Sequence, residues 1–418
     1  MPASTPPART DALVVGAGPA GSAAAAWLAL AGRDVVLADA AVFPRDKTCG
    51  DGLTPRAIAE LQRLGLDDWV RAHTVNHGLR AHGFGQTLLL PWPGGSLPAY
   101  GSAVARTELD DHLRTTALKS GAAGVDGARA VDVRMEGGRV AAVVFQGAPG
   151  ERFEIACDWL VVADGVRSPL GKRLGRQWHR DTAYGVAARS YADSPMHDDP
   201  WISSHLELRG VDGEVLTGYG WIFPLGDGQV NVGVGTLATA KRPANLALRP
   251  LMELYADQRR ADFGLEGPLR APTSAMLPMG GAVSNVAGRN WALVGDAAGC
   301  VNPLNGEGID YGLETGRVVA ETIAGTSAGL DLASAWPALL REHYGEAFSI
   351  ARRLAGIATL PRVVASLGPA GMRSDWLMTL ALRWMGNLVS EADRDRAARI
   401  WRWAGRRSVA LDDRPPFS

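Results

Sequence analysis

Residues 13–39 of this 418-residue chain read LVVGAGPAGSAAAAWLALAGRDVVLAD, and this stretch decides the fold. It joins an apolar run, a glycine-rich turn, an alanine-rich helix-forming segment and a second apolar run that ends in an acid. Gly16 permits the tight turn, Gly18 lets the backbone approach a pyrophosphate, and Gly21 lets the helix pack closely on the sheet. Asp39 ends the second strand, where a ribose hydroxyl would lie. We therefore predict a strand, turn, helix and strand that bind a dinucleotide.

Composition excludes several classes of function. The chain carries 43 basic and 44 acidic side chains, and this net charge of -1 gives no reason to expect nucleic acid as a partner. Cys49, Cys157 and Cys300 are too few and too scattered for a disulfide framework or a cysteine-based metal site. We expect a reducing, cytoplasmic location and no metal.

The sequence predicts no targeting or membrane-spanning segment. Residues 1–10 are rich in proline and polar residues, which indicates a disordered tail rather than a signal peptide. A membrane span needs roughly 20 apolar residues. The one uncharged stretch of that size, 12–32, is interrupted by the glycines of the dinucleotide motif. Any membrane contact should therefore be peripheral.

Two later apolar runs also end in aspartate. WLVVADG occupies residues 159–165, and WALVGD occupies residues 291–296. Because the carboxyl ends of parallel strands meet at one edge of a sheet, Asp164 and Asp296 should lie beside Asp39 if the three strands are parallel. Three polar strand ends indicate a ligand longer than NAD.

FAD fits this arrangement. Its adenosine would lie on the 13–39 unit, and its ribityl hydroxyls would bond Asp296. The helix that begins near Ile309, after Gly306 and Gly308, would direct its N-terminal dipole at the pyrimidine end of the flavin. Arg106 precedes another helix-forming segment, where it could hold the phosphate or the ribityl chain.

A second region has a different pattern. Apolar residues alternate between 184 and 235, and in TGYGWIFP the side chains of Tyr219, Trp221 and Phe223 share one face. The segment 73–101 is interpreted as a first excursion into the same region. We predict an antiparallel sheet that is inserted into the dinucleotide-binding domain.

The predicted fold class is therefore α/β, with a Rossmann-like FAD-binding domain, an inserted antiparallel-sheet substrate domain and a helical C-terminal region. The predicted bounds are a disordered tail at 1–10, the FAD-binding domain at 11–72, 102–183 and 286–330, the substrate domain at 73–101 and 184–285, and the helical region at 331–418. In the last, DWLMTLALRWMGNLV at 375–389 carries one thin polar stripe. It is a packed core helix, a tunnel wall or a face that dips into a membrane surface.

Three segments resemble known flavoproteins. GAGPAG at 16–21, ADGVRSPL at 163–170 and GDAAGCVNPLNGEGI at 295–309 resemble motifs of the FAD-dependent group that includes aromatic hydroxylases, flavin halogenases and geranylgeranyl reductases. One departure is visible. The arginine usually placed seven residues after the aspartate of the second motif is Gly171 here, and Arg173 lies two residues further on.

Two further segments narrow this resemblance. KTCGDGLTPRA at 47–57 and YGWIFPLGDGQVNVGVG at 219–235 are similar to the geranylgeranyl reductase family. Within that family the chain looks most like the actinobacterial members that saturate a double bond in the prenyl tail of menaquinone. The resemblance implies an FAD-dependent oxidoreductase that reduces C=C bonds of a prenyl lipid. Such a reaction needs hydride from flavin N5, a dry slot for the alkene, and a proton from Cys49 or an ordered water.

The resemblance and the residues together assign a site. The expected catalytic residues are Cys49, Gly50, Tyr219 and Trp221. The expected substrate-lining residues are Tyr219, Trp221, Phe223 and Pro224. The expected cofactor-binding residues are Gly16, Gly18, Ala20, Gly21, Asp39, Arg106, Asp164, Asp296, Gly306, Gly308 and Ile309.

Other functions stay open from the sequence alone. A flavin monooxygenase would hydroxylate an aromatic small molecule, although such a site usually needs polar groups to orient its substrate. A halogenase is a weaker match, because no catalytic lysine can be placed. A non-catalytic flavin or prenyl-lipid binding protein would need the lipid pocket but no access for a reductant. With one dinucleotide motif, the electron donor is left open among NAD(P)H, a ferredoxin and another reduced flavin.

Overall fold

The computed structural model describes residues 6–147, 150–244, 246–325, 329–390 and 392–418. The strands, in chain order, are β1 (Arg9–Val15), β2 (Val35–Ala38), β3 (Gly52–Leu53), β4 (Thr74–Asn76), β5 (Gly78–Gly83), β6 (Gln86–Pro91), β7 (Gly101–Ala103), β8 (Ala123–Val125), β9 (Arg129–Glu136), β10 (Arg139–Gln146), β11 (Arg152–Val162), β12 (Gln177–Trp178), β13 (Tyr184–Asp193), β14 (Ile202–His205), β15 (Leu208–Arg209), β16 (Val215–Leu216), β17 (Tyr219–Pro224), β18 (Gln229–Ala238), β19 (Glu266–Leu277), β20 (Val283–Ser284), β21 (Ala287–Gly288) and β22 (Trp291–Leu293). The α-helices are α1 (Pro19–Leu30), α2 (Pro55–Arg63), α3 (Asp67–Arg71), α4 (Arg106–Lys119), α5 (Pro169–Arg173), α6 (Leu248–Phe263), α7 (Ile309–Ala324), α8 (Leu332–Leu340), α9 (Glu346–Ala358), α10 (Pro361–Gly371), α11 (Asp375–Met385) and α12 (Arg396–Val409).

The dinucleotide motif lies in a mixed sheet with the strand order β21–β22–β11–β1–β2–β8. Strands β8, β2, β1, β11 and β22 run parallel, so the ends of β2, β11 and β22 meet at one edge. This geometry brings Asp39, Asp164 and Asp296 to the same edge, as the sequence predicted. Strand β1 begins earlier than expected, because Arg9 and Thr10 already pair with β11. The predicted disordered tail is therefore wrong for those two residues, and residues 1–5 lie outside the described part of the chain.

Helix α1 lies between this sheet and α7 because its residues are small. Residues 23–26 are all alanine and are buried. An added Cβ at Gly21 would lie 1.7 Å from the carbonyl oxygen of Gly16. An added Cβ at Gly316, on α7, would lie 2.4 Å from the carbonyl oxygen of Ala20. The two helices and the turn can therefore pack at backbone distance only with glycine at both positions.

A second sheet of seven strands has the order β19–β13–β18–β17–β14–β5–β6. Strands β5 and β6 come from the early excursion, and the other five lie between Tyr184 and Leu277. The sheet is antiparallel as predicted except for one pair, because β5 and β14 run parallel. Strands β5 and β14 come from separate segments of the chain, so no hairpin requires them to be antiparallel.

One face of this sheet is covered by α6. Val230, Val232 and Val234 of β18 are buried there against α6 residues such as Met252 and Tyr255. The opposite face of β17 and β18 lines the cavity. The aromatic side chains predicted for the site therefore point toward the FAD-binding domain.

The region from α8 onward is helical, as predicted. Helices α9 and α12 pack together, and the rings of Trp384 and Trp401 stack at 5.6 Å between α11 and α12. Helix α11 lies against β6 and has no buried residue. In the described ranges of the chain, no helix has the length and apolar character that crossing a bilayer requires.

Candidate active site

A cavity of about 1320 Å³ connects the glycine-rich turn, the edge of the parallel sheet, the seven-stranded sheet and α11. Pockets for one drug-sized ligand usually measure roughly 300–1,000 Å³. The larger volume suits a dinucleotide together with a second ligand. The cavity walls include every residue predicted for the site except Gly21 and Pro224.

The glycine-rich turn has the predicted geometry. Gly16 has a positive φ of 105°, and an added Cβ would lie 2.3 Å from the carbonyl oxygen of Ala163. The backbone N–H of Ala17 donates to Asp39 Oδ2 at 2.7 Å, while the N–H of Ala41 donates to the other oxygen. Asp39 therefore braces the turn in addition to facing the cavity. Gly21 acts through helix packing and does not line the cavity.

Two arginines stand beside Gly18. Arg106 forms a bidentate pair with the buried Asp110, with N to O distances of 2.6 and 2.7 Å, and Arg45 approaches the same carboxylate at 2.8 Å. The nearest atoms to an added Cβ on Gly18 are Nη2 of Arg45 at 3.4 Å and Nη2 of Arg106 at 3.9 Å. Two guanidinium groups held by one carboxylate suit a pyrophosphate. Arg106 is itself the first residue of α4, whose N-cap is Ala105.

The turn after β11 explains the missing arginine of the second motif. Asp164 accepts from the Ser168 hydroxyl and from the N–H of Leu170, so its carboxylate organises the start of α5. An added Cβ at Gly171 would lie 2.2 Å from Ser168 Oγ. The cation near Asp164 comes from Arg176 instead, whose guanidinium also donates to the Ala297 carbonyl at 2.6 Å.

The third motif brings Asp296 to the cavity. Its Oδ2 atom lies 2.8 Å from Nζ of Lys47, and its Oδ1 lies 3.2 Å from an added Cβ on Gly308. Gly306 has a positive φ of 77°, which turns the loop so that α7 starts at Ile309 beside the cavity. The helix N-terminus is therefore available to a ligand with partial negative charge.

The cysteine-glycine loop lies against the aromatic strand. An added Cβ on Gly50 would be 3.3 Å from Nε1 of Trp221 and 3.4 Å from Cε2 of Phe223. The hydroxyl of Tyr219 donates to the carbonyl of Asn305, which ties the strand to the third motif. Because side chains alternate along β17, Pro224 faces away from the other three, and its predicted role in lining the site is not supported by its position.

Burial sets the ionisation of the acids and the thiol in this region. Desolvation raises the pKa of the Cys49 thiol, which keeps it protonated, although Arg106 opposes the shift. Desolvation also raises the pKa of Asp51 to about 6 and that of Glu307 to about 7. Glu307 accepts hydrogen bonds from Thr54 and Asn305. Neither Asp51 nor Glu307 is among the residues that the sequence predicts for the site.

The part of the cavity away from the glycine turn is apolar. Its walls come from β5, β6 and β14 on one side and from α11 and the residues after it on the other. The apolar lining residues include Leu79, Leu90, Trp92, Ile202, Leu206, Met378, Leu382, Met385 and Leu388. A long hydrocarbon could lie in this space without leaving buried polar groups unpaired.

These residues fit FAD. The glycine turn has no Cβ that would block the approach of a phosphate, the two arginines beside it would hold a pyrophosphate, and Asp296 at the edge of the sheet would hold a ribityl chain. The fold and the site together define an FAD-dependent oxidoreductase.

Comparisons with known proteins agree. A family model described as an FAD binding domain matches residues 9–206. The chain is 61% identical to a menaquinone reductase of Mycolicibacterium smegmatis, over 98% of this chain and 99% of that protein. It is 31% identical to digeranylgeranylglycerophospholipid reductase 1 of Methanopyrus kandleri, over 74% of this chain and 79% of that one.

A solved structure also has the same fold. A geranylgeranyl bacteriochlorophyll reductase-like protein from Thermoplasma acidophilum superposes with a TM-score of 0.77, covering 92% of this chain and 96% of that one, at 21% identity. Together with the sequence identities, this places the protein: the chain belongs to the geranylgeranyl reductase family of FAD-dependent oxidoreductases.

Proposed function

We propose that this protein uses FAD to saturate a C=C bond in the prenyl side chain of menaquinone. The observation that carries the proposal is the continuity of one cavity from the flavin-binding edge, past the aromatic strand, to an apolar chamber under α11. The identity to menaquinone reductases over nearly the whole chain supports menaquinone as the lipid.

The residues that line the cavity indicate which group carries out each part of the reaction. FAD, when bound, supplies the hydride that alkene reduction requires. Tyr219, Trp221 and Phe223 hold the flat alkene and exclude water, and the apolar chamber accepts the rest of the prenyl chain. Cys49 remains a neutral thiol at physiological pH because burial raises its pKa, so it can donate the proton directly or through an ordered water.

The test is an anaerobic single turnover. The protein is reduced with dithionite, mixed with menaquinone or geranylgeranyl diphosphate, and followed by flavin reoxidation and product mass. A gain of two hydrogens in the prenyl chain supports the reductase. A quinone can also reoxidise flavin at its ring, so the position of the added hydrogens decides. In a parallel aerobic assay, a product with one added oxygen atom would support a monooxygenase, and an unchanged lipid would support a carrier. NAD(P)H, a ferredoxin and free reduced flavin are then compared as electron donors.

We also propose that the enzyme works on the inner face of the cell membrane through its C-terminal helices. Trp376 of α11 is 73% exposed and Trp403 of α12 is 56% exposed. Residues 373–407 contain eight arginines and four acidic residues, whereas the whole chain has a net charge of -1. Exposed tryptophans beside an excess of arginines over acidic residues are typical of a helix that lies in an anionic lipid surface. The opposite face of α11 lines the apolar chamber, which offers the lipid a short route from bilayer to site.

A further inference from the structure

Asn231 interrupts an otherwise apolar strand. In β18, Val230 and Val232 face α6, whereas Asn231 faces the other way and is fully buried. It pairs in register with Tyr191 of β13 on one side and with Phe223 of β17 on the other. A fully buried carboxamide must find partners for both of its polar atoms.

The carboxamide joins the two elements on which the site depends. Its Oδ1 accepts the indole N–H of Trp221 at 2.8 Å. Its Nδ2 donates to the carbonyl oxygen of Cys49 at 2.9 Å and to Oδ2 of Asp51 at 2.8 Å. The orientation of the amide is determined by chemistry, because the indole nitrogen can only donate and the Cys49 carbonyl can only accept.

Gly233, two residues after Asn231 in the same strand, leaves room for the indole. An added Cβ on Gly233 would lie 2.1 Å from Cζ2 of Trp221, so the ring rests directly on the backbone of β18. With its plane against the sheet and its N–H on Asn231, the indole has one available position.

Asp51 anchors the other end of the arrangement. It is fully buried, and its Oδ2 accepts from both Asn231 and the Tyr191 hydroxyl, each at 2.8 Å. Its Oδ1 has no hydrogen-bond partner among the described residues. The backbone at Asp51 has a positive φ of 63°, so the loop that carries Cys49 turns sharply at this residue.

We propose that Asn231 is a positioning residue for the reaction, which holds the Trp221 indole and the Cys49–Gly50 turn in a single arrangement with Asp51 as its anchor. The expected effect of Asn231 on turnover rests on the proposed function, whereas its hydrogen bonds to Trp221, Cys49 and Asp51 do not. Asn231 acts through Trp221 and Cys49, and it lines neither the apolar chamber nor the glycine-rich turn.

Asp51 makes this arrangement sensitive to pH. Its carboxylate is stabilised by Asn231 and Tyr191, against desolvation that raises its pKa to about 6. The other groups around it are Cys49, whose thiol stays neutral because burial raises its pKa, and the guanidinium groups of Arg106 and Arg189, which favour the ionised carboxylate and so oppose the rise in the pKa of Asp51. Tyr191 also stays neutral, because its pKa is raised. Below about pH 6 the carboxylate is lost, its bond from Asn231 weakens, and turnover should fall.

The experiment compares Asn231→Leu with the wild-type enzyme and with Asn290→Leu. Asn290 is an equally buried asparagine whose amide bonds Val140 and Asp158 in the other sheet, away from the cavity. We expect Asn231→Leu to keep FAD and to lose kcat roughly ten- to a hundredfold with little change in KM, as for a misplaced catalytic group. Asn290→Leu should lower the melting temperature and leave kcat and its pH profile unchanged.

A second readout does not depend on turnover. Infrared difference spectroscopy follows the carbonyl stretch of the protonated Asp51 carboxyl, assigned by its loss in Asp51→Asn because Glu307 also titrates in this cavity. In Asn231→Leu the titration should move to higher pH, since one donor to the carboxylate is removed. Tyr191→Phe should move it the same way while leaving the high-pH plateau of kcat unchanged.

The outcomes separate the two proposals. A wild-type protein that reduces no prenyl lipid contradicts the proposed function, whereas the infrared titration still decides whether Asn231 supports Asp51. Unchanged kcat in Asn231→Leu, or an unmoved Asp51 titration, overturns the positioning role. If Asn231→Leu does not fold, Asn231→Ala carries the same expectations and the same overturning results.

Discussion

Lys47 and Asp296 form an ion pair, with Nζ 2.8 Å from Oδ2, that joins the cysteine-glycine loop to the edge of the parallel sheet. The two residues are far apart in the chain, and each comes from a different motif. The pair holds the loop at the edge where Asp39 and Asp164 follow their strands, so the edge proposed to bind FAD lies beside the aromatic strand.

Asp296→Ala should release FAD. A hydrogen bond to a charged group contributes roughly 1.5–3 kcal/mol, about one to two orders of magnitude in affinity, and the change also leaves Lys47 without its partner. The ratio of flavin to protein absorbance after purification measures the loss. Asp181→Ala removes an exposed carboxylate that pairs with Arg414, and it should leave the ratio unchanged. A fully yellow Asp296→Ala protein would contradict the assigned role.

Gly21→Ala should abolish FAD binding, because the new Cβ would lie 1.7 Å from the Gly16 carbonyl and would push the turn out of place. Overpacking of this kind costs roughly 1–3 kcal/mol, so the melting temperature should also fall. Gly32→Ala, at the other end of α1, meets no atom within 4 Å and has only a positive φ of 80° to oppose it. The Gly32→Ala protein should be less stable than the wild type yet retain FAD. Equal loss of FAD in both variants would show that close packing at Gly21 is not what FAD binding requires.

Cys49→Ser should keep FAD and slow alkene reduction. A positioned proton donor contributes roughly 10²–10⁴-fold, and a hydroxyl replaces a thiol only in part. Rapid-reaction measurement of flavin reoxidation with product mass gives the rate. Cys157→Ala, in β11 and outside the cavity, is the matched cysteine control. Turnover equal to the wild type would remove Cys49 from the mechanism.

Gly233→Ala should impair catalysis more than Gly235→Ala, although the two glycines lie on the same face of β18. A Cβ at Gly233 would lie 2.1 Å from the Trp221 ring, whereas one at Gly235 would be in ordinary contact at 3.5 Å. The displaced indole in Gly233→Ala should narrow the slot, and kcat should fall by about tenfold or more. Steady-state kinetics on both variants tests this, and similar kcat values would show that the indole position is not critical.

Trp376→Ser combined with Trp403→Ser should weaken binding to vesicles that contain anionic lipid. Each tryptophan contributes apolar burial at the bilayer surface, and the arginines of α12 contribute attraction that salt screens. Vesicle flotation at two salt concentrations separates the apolar contribution to binding from the electrostatic one. Val211→Ser replaces an 87% exposed valine in the β15–β16 turn and should have no effect. Binding of the double variant at the wild-type level would exclude this surface.

The sequence predicted the elements whose signals are local. The glycines of 13–39, the apolar runs before Asp164 and Asp296, and the alternation around Trp221 each determine backbone conformation within a few residues. The parallel strands and the inserted sheet follow from these patterns, and the structure has them, as it has the helical C-terminal region that the apolar segments after residue 331 predict. The early start of β1 at Arg9 was missed, because pairing with a distant strand outweighed a polar, proline-rich composition.

Only the tertiary structure decided which distant side chains became partners. Arg176 rather than Arg173 faces Asp164, Asn231 connects Trp221 to Cys49, and Asp51 is buried deeply enough for its pKa to rise. None of these follows from spacing, since segments up to 182 residues apart along the chain must first pack together. Backbone form is determined over a few residues, whereas burial and hydrogen-bond partners depend on how the completed sheets and helices pack against one another.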